Sequence, residues 1–231
     1  MKKVVVIHQP DFLSYIGFFH RLLYADLYVV LDDVQFVKSN NSWTHRDKIK
    51  TQNGEKWLTI SVKKAPRNTN INEVVLNDTL NWKKQNLDLL KQNYSKAEYF
   101  TEIFPYIEKL YQTEVDSLSE FNMQSIFMLI QLFDIEIEIM NSSSLVTTTT
   151  KSERLVEILT QVNASHYLSG VGAKDYHINK PFDDANIKVI WQEFNPPMYP
   201  QLHGEFIPYL SSIDLLFNCG IEESRKILRG I

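Results

Sequence analysis

KKVVVIHQPDFLSYIGFFHRLLYADLYVVLDD, residues 2–33, is the stretch that decides the fold class. Residues 3–7 are a continuous, β-branched apolar run that Pro10 stops, the pattern of a strand buried on both faces. Residues 14–25 place Phe18, Leu22 and Ala25 at helical spacing behind Ser14, a residue suited to cap a helix. Residues 27–31, LYVVL, form a second apolar run that ends in Asp32 and Asp33. Strand, helix and strand within about thirty residues make a βαβ unit and a parallel pair. Ligands of such sheets bind outside the carboxyl ends of the strands, the edge where His8-Gln9 and Asp32-Asp33 both fall.

Outward from this unit, residues 36–55 read as a long polar connection that Trp43 tethers, and residues 56–62 as a third strand. Helical apolar stripes follow over residues 80–92, 101–112 and 115–133, then a strand at 135–140. Residues 144–150 read as a loop or edge strand, 152–162 as a helix, and 166–168 and 187–191 as strands. Two short helices close the chain, near 211–217 and 221–228, with Gly220 between them as a C′ residue. The expectation is a single α/β domain over residues 1–231, its mostly parallel central sheet started by the βαβ unit and a helical insertion lying at about 80–133.

Composition narrows the function. With 44% apolar and 23% charged residues the chain is an ordinary globular protein. No apolar run approaches the roughly 18 residues of a membrane helix. The run at residues 4–7 is also far shorter than a signal-peptide core of about 7–15. The lone Cys219 excludes an internal disulfide framework and suits a reducing cytoplasm, so a cytoplasmic location without membrane insertion is expected. A net charge of −4 gives no reason to expect nucleic-acid binding. Residues 36–67, however, carry eight basic residues against two acids, a local +6 that leaves −10 elsewhere. That is the charge pattern of a site for a small phosphorylated ligand, and equally of a solvated, lysine-rich loop.

His8 offers a titratable ring and Gln9 a neutral amide, so the pair reads as base and hydrogen-bond partner or as a structural turn. Asp32 and Asp33 can orient a base, accept sugar hydroxyls or form a turn, and chemistry alone does not choose between them. No spaced His/Asp/Glu set completes a metal site, so none is expected. Trp43, Arg46 and Lys48 set an indole beside cations, with Lys38 nearby; Arg46 suits a phosphate and Trp43 a base, or the Trp anchors the loop. Ser169 and Gly170 open a small glycine-containing turn whose N–H groups could receive an anion, although it lacks the spacing of a P-loop. His203 stands two residues before Glu205 in a proline-braced loop, as a catalytic pair or a structural one. Cys219 follows an apolar run with no adjacent base and is a poor nucleophile candidate.

Taken in order, HQP-x-(F/Y)-L, GFF, AD-x-(Y/F)-V-x-LDDVQF, a W-x-x-R-x-K-I-K block, YLSG-x-GAKDY and YPQLHGEFIPYLS-x-IDLLFN-x-G resemble the WbqC-like family from about Val5 to Gly220. The chain departs from the family pattern at Ser14-Tyr15, where Pro-Trp is usual, and at His45 and Asp47, where asparagines are usual. The resemblance implies a role among surface-polysaccharide and O-antigen genes, in making or decorating an unusual sugar. The activity it implies is N-acyl or aminoacyl transfer, for example glycyl transfer, to a nucleotide-linked amino sugar such as a dTDP-sugar. His8, Asp33 and Gln9 are then the candidate catalytic residues. Asp32, Gln35, Lys38, Trp43, Arg46, Lys48, Ser169, Gly170 and His203 are the candidates for binding substrate. No tightly bound cofactor is expected; the donor would be an acyl-CoA or an ATP-activated amino acid. A homodimer is one assembly this reading allows. The alternatives are a nucleotidylyl-transferase-like or adenylate-forming enzyme, whose second loop histidine is missing here, and a non-catalytic scaffold of polysaccharide assembly.

Overall fold

The computed structural model describes residues 2–38 and 42–231. In chain order the elements are β1 (Val4–His8), α1 (Ile16–Leu22), β2 (Leu27–Val30), β3 (Arg46–Thr51), β4 (Gly54–Thr59), α2 (Trp82–Tyr94), α3 (Phe100–Tyr111), α4 (Leu118–Leu132), β5 (Glu138–Asn141), α5 (Lys151–Gln161), β6 (His166–Ser169), α6 (Asn179–Asp184), β7 (Lys188–Trp191) and α7 (Ser212–Arg229). They fall into two compact units. One comprises residues 2–9, His20–Asp33 and Ile135–Asn195; the other Pro10–Phe19, Val34–Asp134 and Pro196–Ile231.

The first unit is built on a five-stranded sheet of order β5-β2-β1-β6-β7, parallel at every pairing. Counting only these strands along the chain, the order is 3-2-1-4-5, that of a doubly wound sheet. The expected βαβ start is present, and the strand order reverses between β1 and β6. The apolar runs explain why these strands are central: Val5 and Ile7 of β1, Leu27 and Val29 of β2 and Tyr167 of β6 pack with Ile158, Leu159 and Phe182 of α5 and α6. Both faces of β1 and β2 are buried, which is why their sequences are continuous rather than alternating.

The second unit holds an antiparallel hairpin, β3 with β4, in register from Arg46↔Thr59 to Thr51↔Gly54. Gly54 takes a φ of 91° at the turn, where only glycine is unstrained. β3 lies inside the stretch expected to be a polar connection. Its charged residues alternate with buried Asp47 and Ile49, so the strand period is present but written with a polar residue in place of an apolar one. Helices α2, α3 and α4 occupy the expected central insertion. Helix α7 is broken at Gly220, the expected glycine between two helices, although its φ of 70° and ψ of 177° are not the αL conformation of a C′ cap. A Cβ at Gly220 would also run into the Tyr99 ring. No helix among the described residues is long and apolar enough to cross a membrane.

Candidate functional site

At the carboxyl edge of the sheet, β1 ends on His8 and β6 on Ser169. β1 pairs with β2 along its length, from Val5↔Leu27 to His8↔Val30, but with β6 only at Val4↔His166 and Val5↔Tyr167. The two central strands therefore part toward their carboxyl ends, at the point where the sheet order reverses. This is the crevice position at which open parallel sheets bind ligands. The backbone of the His8-Gln9 turn is fixed. Leu31 N–H donates to the His8 carbonyl at 2.8 Å, and the Tyr28 hydroxyl reaches the His8 and Gln9 carbonyls at 3.3 Å each. Both side chains at the turn are half-buried.

On the β6 side, the Ser169 hydroxyl donates to the Tyr167 hydroxyl at 3.3 Å. Gly170 follows, and a Cβ there would collide with Nη1 of Arg21, from the last turn of α1. Arg21 is only 5% exposed. Burial raises the pKa of the Tyr167 phenol, against the opposing pull of the Ser169 hydrogen bond and the Arg21 charge. A buried guanidinium is costly unless anions or acceptors meet it. Arg21 is engaged within the fold, and its Nη1 lies against Gly170 so closely that only a residue without a Cβ fits there. Behind it, Gln192 Nε2 meets His20 Nδ1 at 3.3 Å, and burial lowers the His20 pKa.

Asp32 and Asp33 differ in environment. Asp32 is 2% exposed and accepts from Asn141 Nδ2 at 3.1 Å, Ser142 Oγ at 3.3 Å, Ser143 N at 3.0 Å and Ser143 Oγ at 2.7 Å. It ties the end of β2 to the segment leaving β5. Asp33 is half-buried, accepts from Ser142 Oγ, and forms an ion pair with Arg154 Nη2 of α5 at 2.5 Å.

The remaining candidates lie in the other unit. Trp43, Arg46 and Lys48 do come together, on the hairpin. The Arg46 guanidinium sits 4.1 Å from the centre of the Trp57 ring, which Trp43 meets at 5.3 Å. Lys48 Nζ lies 5.3 Å from the same ring and pairs with Glu55 at 2.5 Å. Gln35 and Lys38 line a separate cleft. His203, at a φ of 65°, has its Nε2 2.9 Å from the Asn93 carbonyl. Its loop is anchored from below: Lys50 Nζ donates to Gln201 Oε1 at 3.2 Å, Gly204 O at 3.1 Å and Glu205 O at 2.5 Å. The buried Asp214 carboxylate accepts from Tyr94 at 2.6 Å and Tyr199 at 2.9 Å. Much of the C-terminal motif block is thus engaged in holding its own loop.

The candidates named from sequence are accordingly divided: His8, Gln9, Asp32, Asp33, Ser169 and Gly170 in the sheet unit, and Gln35, Lys38, Trp43, Arg46, Lys48 and His203 in the hairpin unit. Arg21 was not among them. Its signal is present in the sequence, as a cation in the last turn of the helix that follows the first strand, but a lone arginine after GFFH is read by default as a solvated residue.

The WbqC-like protein family model matches residues 9–226. A Mycobacterium tuberculosis protein, Uncharacterized protein Rv1507c, is 32% identical over 225 residues, covering 96% of each chain. No solved structure matches at a significant level. Matched over nearly its whole length, the chain belongs to the WbqC-like protein family.

Proposed function

We propose that the protein transfers an acyl or aminoacyl group to the amine of a nucleotide-linked amino sugar in surface-polysaccharide synthesis. The observation that carries this reading is the switch point of the sheet, where an imidazole, His8, ends the central strand and a buried cation, Arg21, abuts Gly170. A base and a cation at one strand edge are the two parts that amine acylation on a phosphorylated sugar requires.

In the proposed step the sugar amine attacks the donor carbonyl and a C–N bond forms. His8 takes the proton released from nitrogen. The tetrahedral oxyanion is met by the Gln9 amide and by N–H groups at Gly170–Gly172, and Arg21 neutralises a substrate phosphate. Collapse breaks the C–S bond of a thioester or the C–O bond of an acyl adenylate. The proton held by His8 passes to the thiolate in the first case and to solvent in the second. Asp33, paired with Arg154, and Asp32, held by Asn141 and two serines, keep the neighbouring strand end in place.

A second reading has an observation in its favour. The 3-2-1-4-5 order with a histidine ending the first strand also suits nucleotidylyl transfer, with His8 on the phosphates. One experiment separates the two. Purified protein is incubated with nucleotide-linked 3- and 4-amino sugars and with acyl-CoA, aminoacyl or ATP-plus-amino-acid donors, and product mass is followed. A sugar nucleotide heavier by one acyl group is the expected result. Pyrophosphate release without acylated sugar supports the second reading. The absence both of product and of thermal stabilisation by any sugar nucleotide contradicts both and favours a scaffold.

A further inference from the structure

The hairpin unit contains a cleft of about 600 Å³ between residues 35–38 and 62–67. Among the described residues, four cationic side chains line it, Lys38, Lys63, Lys64 and Arg67, and no carboxylate does. None of the four has an acidic partner within ion-pair distance among the described residues. On a chain whose net charge is −4, this concentration of positive charge falls on a concave surface. A recessed wall of one sign focuses its field and raises the local concentration of counter-ions.

The walls are pre-formed by hydrogen bonding. Gln35 Nε2 donates to the Arg67 carbonyl at 2.6 Å, Phe36 N–H to the Thr69 carbonyl at 2.8 Å, and Lys63 N–H to the Val75 carbonyl at 2.9 Å. Behind the cleft, the Phe36 ring stands edge-on to the His45 imidazole at 5.6 Å. Burial first, and then the Arg46 and Lys38 charges, push the His45 pKa down to about 4, so the imidazole adds no charge of its own at neutral pH.

We infer that this cleft is a binding site for a small ligand carrying a di- or triphosphate group. The volume lies within the range of about 300–1,000 Å³ typical of small-molecule pockets, and four cations match the charge of such an anion. The inference is independent of the reading of the sheet edge, because its residues all belong to the hairpin unit.

Isothermal titration of the full chain with pyrophosphate, tripolyphosphate and ADP, against sulfate at matched ionic strength, tests it. The expected result is saturable one-to-one binding of the phosphates and not of sulfate. Lys64→Glu and Arg67→Glu should each weaken it at least about 10-fold, the loss expected for a charge-assisted hydrogen bond. Both side chains are exposed, so the variants should keep the wild-type circular dichroism and melting temperature. His8→Ala should leave the affinity unchanged, which separates failure of this site from failure of the proposed function. A tighter constant for ADP than for pyrophosphate assigns a nucleotide as the ligand, and equal constants assign the phosphates alone; either supports the site. No saturable binding, sulfate binding of equal strength, or phosphate binding that neither charge reversal weakens would overturn it.

Discussion

Asp47 and His45 show how a single residue acquires meaning from its surroundings. Both stand where the resemblance implies asparagine, and both are buried, at 2% and 3% exposure. Burial holds the Asp47 carboxyl well above the usual carboxylate range, opposed by the Lys48 N–H bond at 2.6 Å and reinforced by nearby Asp11. A protonated carboxyl is neutral and close in shape to the amide it replaces. Because its folded pKa exceeds the unfolded value of about 3.9, the folded state binds the proton more tightly. The stability Asp47 contributes is therefore present below that pH and lost as pH rises toward the folded pKa. Asp47→Asn should raise the urea midpoint at pH 8, with the difference from wild type shrinking toward pH 4. A variant less stable than wild type at pH 8 would contradict this.

His45 titrates with the opposite sign. Its pKa falls from about 6.5 unfolded to about 4 folded, through burial first and then the Arg46 and Lys38 charges. Its contribution is full above pH 6.5 and lost as pH falls through that window. His45→Asn should flatten the acid limb of the stability curve between about pH 6.5 and 4, and an unchanged limb would remove His45 as its source. The departures at positions 45 and 47 were visible in the sequence. The titration behaviour was not, because it depends on burial that no local pattern encodes.

At the scale of elements, Asp32 is the clearest case of a candidate whose surroundings the sequence hides. The motif LDD placed two carboxylates at a strand end and gave no way to rank them. The fold supplies Asn141, Ser142 and Ser143 from more than a hundred residues away, and they converge on Asp32. Asp32→Ala would take the carboxylate acceptor from the exposed Asn141 amide and Ser143, while Ser142 Oγ keeps Asp33. Because the exposed donors can turn to water, the cost is that of losing hydrogen bonds to a charged acceptor, and a loss of about 2 kcal/mol is expected. Chemical denaturation measures it; a loss below about 1 kcal/mol would mean that the network contributes little. Lys50 carries the same lesson. It adds to the +6 count, yet it is 1% exposed and spends its ammonium on a loop of its own unit. The strand β3 was hidden because its period-two alternation sets charged residues against an aspartate and an isoleucine.

Across the whole molecule, the five strands of the sheet were legible as apolar runs, and the βαβ start made them parallel. Their order was not, because pairing order depends on contacts between distant segments. That order determines which strand ends flank the crevice, and it raises His8 and Gly170 above the other polar residues at strand ends. The two compact units are each assembled from three separate stretches, so no shift in composition marks their boundaries. The basic segment likewise resolves only in three dimensions, into the aromatic-backed pair Arg46 and Lys48, the buried Lys50, and the cleft cations. The central claim rests on His8 acting as a base at the switch point. Its most direct test is the single-turnover rate of acyl transfer to a nucleotide-linked amino sugar, for wild type against His8→Ala. A fall of about 10²–10⁴-fold in rate with sugar-nucleotide affinity retained is the expected result; a rate within about threefold of wild type would contradict it.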